Sequence, residues 1–333
     1  MPDPIASPAT NPRVSVIVPL HRLTPAARQC IETVVGLAGD SHELLVVSDK
    51  PVEGIPAAAR AIVTGSPVDT SPAEKRDLAV EHARGDICAF LDDDAYPAAD
   101  WIDKALERFE DPTIAAVGGP GATPPGAPLR ERLGGAFYES ALGSGGLRYR
   151  FTPVGEVRDV DDYPAYNFFV RTAALRDVGG WASRFYGGED TKLCLALVRG
   201  GHRIVYDPEV LVYHHRRPMF RAHMRQVGNV GRHRGWFVHA FPETSRRAVY
   251  FAPAGALVAT PLIAAWAVRD RRRAAKVGAI GAFASSAIAA SALRDGQDPF
   301  VAALLPVGLA AGHAAYGAGF LRGLLFTDEI ESM

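Results

Sequence analysis

Ile87-Cys-Ala-Phe-Leu-Asp-Asp-Asp94 is the stretch on which the fold turns. Five apolar residues bounded by Gly85-Asp86 and by acids have the length and composition of a strand buried on both faces, as in a parallel sheet. The run ends where three carboxylates follow one another. Adjacent carboxylates repel, so the triplet needs either solvent or a compensating cation. Alternate residues at a strand end point the same way, which lets Asp92 and Asp94 serve one site. A hard divalent cation such as Mg²⁺ takes oxygens from one or two carboxylates plus substrate phosphates. A solvated acidic turn is the plainer reading, and the position at the end of a buried strand weighs against it.

Upstream the pattern repeats. Val14–Val18 (VSVIV) is a β-branched run stopped by Pro19, and Glu43–Val47 (ELLVV) is a second, stopped by Ser48-Asp49. Between them Thr24–Leu37 has helical spacing, with Thr24 as N-cap and Pro25 at the first helical position. A short strand is expected at Ile62–Thr64, and a helix over Ala73–Ala83, opened by Ser71-Pro72 and closed by Gly85. Strands alternating with helices predict an α/β, doubly wound, mainly parallel sheet. In such sheets ligands bind beyond the carboxyl ends of the strands. Pro19 to His21, Ser48-Asp49 and Asp92 to Asp94 all fall there.

Downstream, Pro120 to Gly146 is rich in Pro and Gly and reads as a loop that could hold a mobile segment. Strands are expected over Tyr166–Val170, Arg203–Tyr206 and Val210–Tyr213, and helices over Ala173–Val178 and Glu189–Arg199. Gly187-Gly188-Glu189-Asp190 opens the last helix with a flexible pair and two acids, which suits the helix dipole. One of these carboxylates could act as general base toward an acceptor hydroxyl. His214-His215-Arg216-Arg217 is a third cluster: one histidine could complete a metal shell, while the arginines suit phosphates.

The chain has 333 residues and a formal net charge of −1, so nothing in the overall balance points to nucleic acid. Cys30, Cys88 and Cys194 are widely spaced and form no zinc pattern, which suits a reducing compartment. Residues 1–12 read as a flexible lead-in without the apolar core of a signal peptide, which predicts that the first domain stays on the cytoplasmic side of the cell membrane. Residues 216–248 are a basic segment expected at the membrane surface. Beyond it, residues 249–326 hold three apolar stretches, Val249–Val268, Val277–Leu293 and Phe300–Phe326, each near the length of a bilayer crossing. Residues 327–333 read as a tail. The basic run Arg269–Lys276 belongs on the cytoplasmic side by the positive-inside rule. Pro253 and Pro261 are therefore expected to break the first stretch into short pieces that re-enter or lie at the interface.

Taken together, Val14-Ser-Val-Ile-Val-Pro19, Ser48-Asp49, Arg76-Asp77-Leu78, Ala83-Arg84-Gly85-Asp86, Phe90-Leu91-Asp92-Asp93-Asp94, Gly179-Gly180-Trp181 and Glu189-Asp190 closely resemble the family-2 glycosyltransferases of GT-A (Rossmann-like) fold. The resemblance covers residues 13–215, in the family's order. The membrane tail, with Ala315-Tyr316-Gly317-Ala318-Gly319-Phe320, is similar to that of succinoglycan-type members. By this resemblance Pro19 lines the nucleotide pocket, Asp49 binds the base and Arg76 sits near base or diphosphate. Asp92 contacts the ribose, Asp93 belongs to the same donor-binding set, and Asn167 lies near the donor sugar. Asp94, with Asp92, holds Mg²⁺ or Mn²⁺. Asp190 is the base, with Glu189 beside it, and His214 or His215 falls where some members place a metal-binding histidine.

The chain departs from the common family pattern at Leu20-His21 and at Ser48-Asp49, and both departures leave the base preference open. Gln226 and Arg234-Gly235-Trp236 do not have the spacing of the processive synthases' Gln-x-x-Arg-Trp signature. Single-sugar transfer is therefore expected, from a nucleotide-diphosphate sugar to a lipid-linked acceptor such as a polyprenyl-diphosphate glycan or glycolipid. Arg216, Arg217, Arg232, Arg234 and Trp236 are the acceptor-side candidates, next to membrane lipids. The rival enzyme is a polyprenyl-phosphate monosaccharide synthase, and a non-catalytic membrane scaffold is the remote alternative.

Overall fold

The computed structural model describes residues 13–39, 41–183 and 187–327. The expected lead-in, residues 1–12, and all but the first residue of the expected tail lie outside them. In chain order the strands are β1 (Val14–Pro19), β2 (His42–Ser48), β3 (Ala59–Val63), β4 (Ile87–Leu91), β5 (Ala95–Pro97), β6 (Ile114–Gly118), β7 (Gly121–Ala122), β8 (Arg158–Val160), β9 (Asn167–Arg171), β10 (Arg203–Tyr206) and β11 (Val212–His214). The helices are α1 (Pro25–Val35), α2 (Pro72–His82), α3 (Trp101–Arg108), α4 (Leu129–Glu139), α5 (Ala141–Ser144), α6 (Thr172–Asp177), α7 (Glu189–Arg199), α8 (Arg221–Ala240), α9 (Pro242–Ser245), α10 (Ala248–Ala267), α11 (Arg271–Arg294) and α12 (Pro299–Leu325).

The chain forms two compact units, one of residues up to 121 with 155–214, the other of residues 122–154 with those from 215 onward. The first unit is built on a sheet of order β3-β2-β1-β4-β9-β6-β10-β8. β1 runs parallel to β2 and β4, β2 to β3, and β6 to β10. β9 is antiparallel to both β4 and β6, inserted between the parallel set β3-β2-β1-β4 and the parallel pair β6-β10, and β8 is antiparallel to β10 at the edge. Helix ends follow the capping chemistry the sequence offered. Thr24 accepts from Ala27 N at α1, and Ser71 and Glu74 close a reciprocal capping box at α2. The core holds the inward residues of β1, β2 and β4 with Ala27, Cys30, Ile31 and Val34 of α1. Because β1, β2 and β4 are parallel neighbours, their carboxyl ends share one edge, which brings His21, Asp49 and Asp92 to the same side of the sheet.

Some boundaries differ from the sequence expectation. The short third strand is Ala59–Val63, not Ile62–Thr64, and the last is Val212–His214, since Val210 and Leu211 form the turn leading into it. Residues 120–146 are not a loop: α4 and α5 occupy much of them. Gly134 and Gly135, inside α4, are contact points. A Cβ at Gly134 would meet Arg217 O at 2.7 Å, and one at Gly135 would run into Thr123. Residues 122–154 also make the expected domain 13–215 discontinuous, although its end falls within one residue of the boundary after His214.

In the second unit α8 lies along α12 through glycines on both. An added Cβ at Gly231, Gly235, Gly319 or Gly323 would run into the other helix's backbone, so only glycine permits this approach. Phe137 of α4 packs into the gap left by Gly312. Helices α10, α11 and α12 are long and apolar enough to cross a membrane, with mean hydropathy of 1.7, 1.4 and 1.4. α10 is one continuous helix with Pro253 and Pro261 inside it, so the expected break into short pieces is corrected. Each proline forfeits one backbone hydrogen bond and otherwise keeps helical geometry, which apolar helices of this kind accommodate.

Candidate active site

The acidic triplet turns directly off β4, with Ala95 N donating to Asp92 O at 3.0 Å. From below, Cys30 of α1 approaches the same carbonyl at 3.7 Å. Burial, and then the charges of Asp93, Asp94 and Asp92, push the Cys30 thiol well above its usual pKa, so it stays a neutral floor to the site. β11 returns antiparallel to β5 with His214 opposite Ala95. That register sets the imidazole Nε2 2.9 Å from Asp94 Oδ1, its ring against Tyr166 at 4.7 Å. Asp92, Asp94 and His214 present ligand atoms all within 4.8 Å of one another. Two carboxylates and an imidazole form a donor set that suits Mn²⁺ as well as Mg²⁺. Burial pushes the Asp92 carboxyl upward and Asp94 and Glu189 add to this, while Arg76 and His214 pull against it. A divalent cation supplies the positive charge this direction asks for.

Arg76, on α2, is only 3 % exposed and stands at the centre of the charged groups. Its guanidinium reaches Asp92 Oδ1 at 2.8 Å and Glu189 Oε1 at 3.4 Å, and lies 4.6 Å over the Trp181 ring. Glu189 also accepts from Gly187 N at 2.8 Å. Asp190, beside it at the start of α7, accepts from Thr191 N. Trp181 is held edge-on to Phe90 of β4, and its backbone is fixed by Asp77. Asp77 accepts from Trp181 N at 2.8 Å and Ala182 N at 3.0 Å. Gly180, at φ 73°, turns the chain there, where a Cβ would lie 2.6 Å from Asp77 Oδ1. Neither Asp77 nor Trp181 was singled out from the sequence, although Arg76-Asp77 and Gly179-Gly180-Trp181 were its signal.

Lys75 points the other way along α2. Its ammonium is 2.7 Å from Asp49 Oδ2 and 3.1 Å from Leu20 O. Asp49 Oδ1 accepts from Thr70 Oγ1 at 2.5 Å, Thr64 Oγ1 at 3.1 Å and Thr70 N at 3.3 Å. Burial alone would raise the Asp49 pKa, but the Lys75 and threonine hydrogen bonds with the Lys75 charge outweigh it and hold the carboxyl below its usual value. Pro19 ends β1 beside this group. Asn167 is fully buried: its oxygen accepts from Trp101 Nε1 at 2.8 Å, and its nitrogen donates to Val210 O at 2.7 Å and Pro120 O at 3.3 Å. Its side chain is thus committed to joining α3, β9 and the β10–β11 turn.

The remaining candidates belong to the second unit. His215 pairs with Glu131 of α4 at 2.9 Å, and the backbone N of Arg216 donates to the same carboxylate. Of the two adjacent histidines, His214 therefore joins the carboxylates and His215 does not. Arg216 is buried over the rings of Phe151 and Tyr138, while Arg217 is exposed and Arg232 half-buried. Arg234 lies 4.9 Å over Tyr250, and Trp236 packs against Phe237 and Phe241.

Residues 15–176 match the profile of Glycosyl transferase family 2. Over this stretch the chain is similar to the family-2 glycosyltransferases. The match covers β1, β4, Arg76 and the acidic triplet, with Glu189 and His214 lying beyond its end. Over 227 residues the chain is 31 % identical to the pre-mycofactocin glycosyltransferase of Mycobacterium tuberculosis, covering 66 % of this chain and 46 % of that protein. The chain thus spans about half the length of this relative. It is 24 % identical over 225 residues to glycosyltransferase AglE of Haloferax volcanii, 63 % of this chain and 69 % of that one. The glycosyltransferase fold extends to the mannosyltransferase PcManGT of Pyrobaculum calidifontis, whose structure is a complex with GDP-Man and Mn²⁺. That structure aligns with a TM-score of 0.61 at 21 % identity, over 97 % of this chain and 90 % of that one.

Proposed function

We propose that this chain is a metal-dependent, inverting glycosyltransferase that moves one sugar from a nucleotide-diphosphate sugar to a lipid-linked acceptor in cell-surface polysaccharide or glycoconjugate biosynthesis. The observation that carries the proposal is the Asp92–Asp94–His214 cluster, joined through Arg76 to Glu189 at the strand ends of a family-2 domain. Asp94, Asp92 and His214 are the residues that hold Mg²⁺ or Mn²⁺. When bound, the ion neutralises charge on the departing diphosphate. Arg76 offers further donors to that charge, in a setting from which water is largely excluded. Asp190 takes the proton from the acceptor hydroxyl, whose oxygen bonds to the anomeric carbon as the carbon–phosphate oxygen bond breaks. One displacement inverts that centre. Asp93 and Pro19 border the donor.

The acceptor is assigned from the basic segment and the resemblance to succinoglycan-type enzymes: a polyprenyl-diphosphate glycan or glycolipid, its phosphates met by Arg217 and Arg232. The catalytic domain is assigned to the cytoplasmic face, where nucleotide sugars are made, with α10 to α12 in the membrane. The test is a screen of uridine, thymidine and guanosine diphosphate sugars with the detergent-solubilised protein, with and without Mn²⁺, followed by NMR of the product's anomeric configuration. Metal-dependent consumption of one donor with inversion is expected. Retention of configuration, or no metal-dependent turnover of any donor, would overturn the proposal.

A further inference from the structure

A second group of side chains lies at the edge that carries the metal-binding candidates. His21, Asp49 and Asp69 present ring nitrogens and carboxylate oxygens within 4.8 Å of one another. They reach that point from three separate segments: the turn after β1, the end of β2, and the loop before α2. Each is braced. The Leu20 carbonyl next to His21 accepts from Lys75, Asp49 takes the Lys75 ammonium, and Thr70 next to Asp69 donates twice to Asp49. The group is tied to the metal side by α2, whose consecutive buried residues Lys75 and Arg76 turn to Asp49 and Asp92 respectively.

Three such donors also resemble a cation site, but the Lys75 ammonium already sits 2.7 Å from Asp49 and supplies the charge. The difference among the three is what they have left to give. Asp49 has spent its acceptor capacity inside the fold. His21 and Asp69 are exposed, and no hydrogen bond or ion pair engages them among the described residues. A ligand at this place therefore meets a free carboxylate and a free imidazole, with the Lys75–Asp49 pair behind them.

We infer that His21 and Asp69, not Asp49, read the nucleotide base, and that the base they favour is guanine. The inference deepens the proposed function and rests on it. Guanine carries two adjacent donors, N1–H and the 2-amino group, which one carboxylate accepts side by side. Uracil and thymine carry one N–H between two carbonyls, so their oxygens would face carboxylate oxygens. The His21 ring N–H has acceptors to meet on guanine, at O6 or N7. A site built to accept a particular N–H rejects analogues lacking it far more strongly than an apolar pocket rejects a missing methylene.

The test uses free nucleotides, so it does not depend on sugar, acceptor or turnover. Binding of GDP, IDP, UDP and XDP to the detergent-solubilised full chain is measured by calorimetry with Mn²⁺ present. GDP is expected to bind at least tenfold tighter than UDP, and several-fold tighter than IDP, which lacks the 2-amino group. Asp69→Asn should weaken GDP at least tenfold and abolish the GDP–IDP difference. It should also strengthen XDP, because an amide's donor and acceptor match the N1–H and 2-carbonyl of xanthine. This gain cannot come from misfolding. UDP binding equal to or tighter than GDP binding, or an unchanged GDP–IDP ratio in Asp69→Asn, overturns the inference and leaves the glycosyltransferase reading standing. Binding of no nucleoside diphosphate would remove both.

Discussion

At the end of β2, Asp49 meets an ammonium and two threonines; at the end of β4, Asp92 and Asp94 meet one guanidinium and one imidazole. Both groups are strand-end carboxylates on one sheet, served by consecutive residues of α2. Lys75 completes the first, whose carboxyl is held below its usual pKa. Arg76 is shared with Glu189 and leaves the second short of positive charge, with Asp92 pushed upward. Identical side chains in like positions thus take different roles according to how many charges face them. A compensated carboxylate fixes the fold; an under-compensated pair suits a cation.

The strongest way to break this contrast is at the under-compensated pair. Asp94→Asn should lower metal-dependent turnover at least a hundredfold, measured at saturating Mn²⁺, because it removes a ligand and an electrostatic partner together. Asp190→Asn should lose about 10²- to 10⁴-fold in transfer while keeping nucleotide affinity. Near-normal turnover would instead point to a phosphate acceptor that needs no base. On the compensated side, Lys75→Met leaves a buried carboxylate unpaired and should destabilise the protein by about 3–5 kcal/mol, read from a denaturant midpoint. A milder outcome is expected for His214→Ala: roughly tenfold more Mn²⁺ for half-maximal activity, and a smaller preference for Mn²⁺ over Mg²⁺.

The smallest effect is in acid. The Asp49 carboxyl has a folded pKa below its unfolded value, so its contribution is complete above about pH 4 and disappears as pH falls through the lower, folded value. Wild type should therefore lose stability in that window. Lys75→Met should show a weaker loss there, and identical acid profiles would undo the contrast.

Most of the first unit was legible because its strands are short apolar runs that stop at polar residues, so the strand ends and the acids on them could be read together. Asp92, Asp94 and His214 were named from sequence. Choosing His214 over His215 required the β5–β11 register, which no local pattern encodes. Asn167 was placed near the donor by resemblance, but a strand residue's hydrogen-bond partners come from distant segments, here Trp101, Pro120 and Val210. In the second unit, the loop reading of residues 120–146 failed because glycines at 134 and 135 mark where another backbone or side chain passes closely. At 231 and 235 of α8 the glycines form the seam for α12.

Cys30, Cys88 and Cys194 are all free thiols buried in the core of the first unit. The native chain should therefore be silent to bulky, membrane-impermeant maleimides while folded. A single cysteine introduced at the surface becomes its only reactive handle, with no need to replace the native three. Arg271→Cys, at the start of α11 next to the turn after α10, would then report from intact cells which side of the bilayer that turn occupies: labelling from outside makes α10 a full crossing, and protection until lysis keeps the turn with the nucleotide sugars.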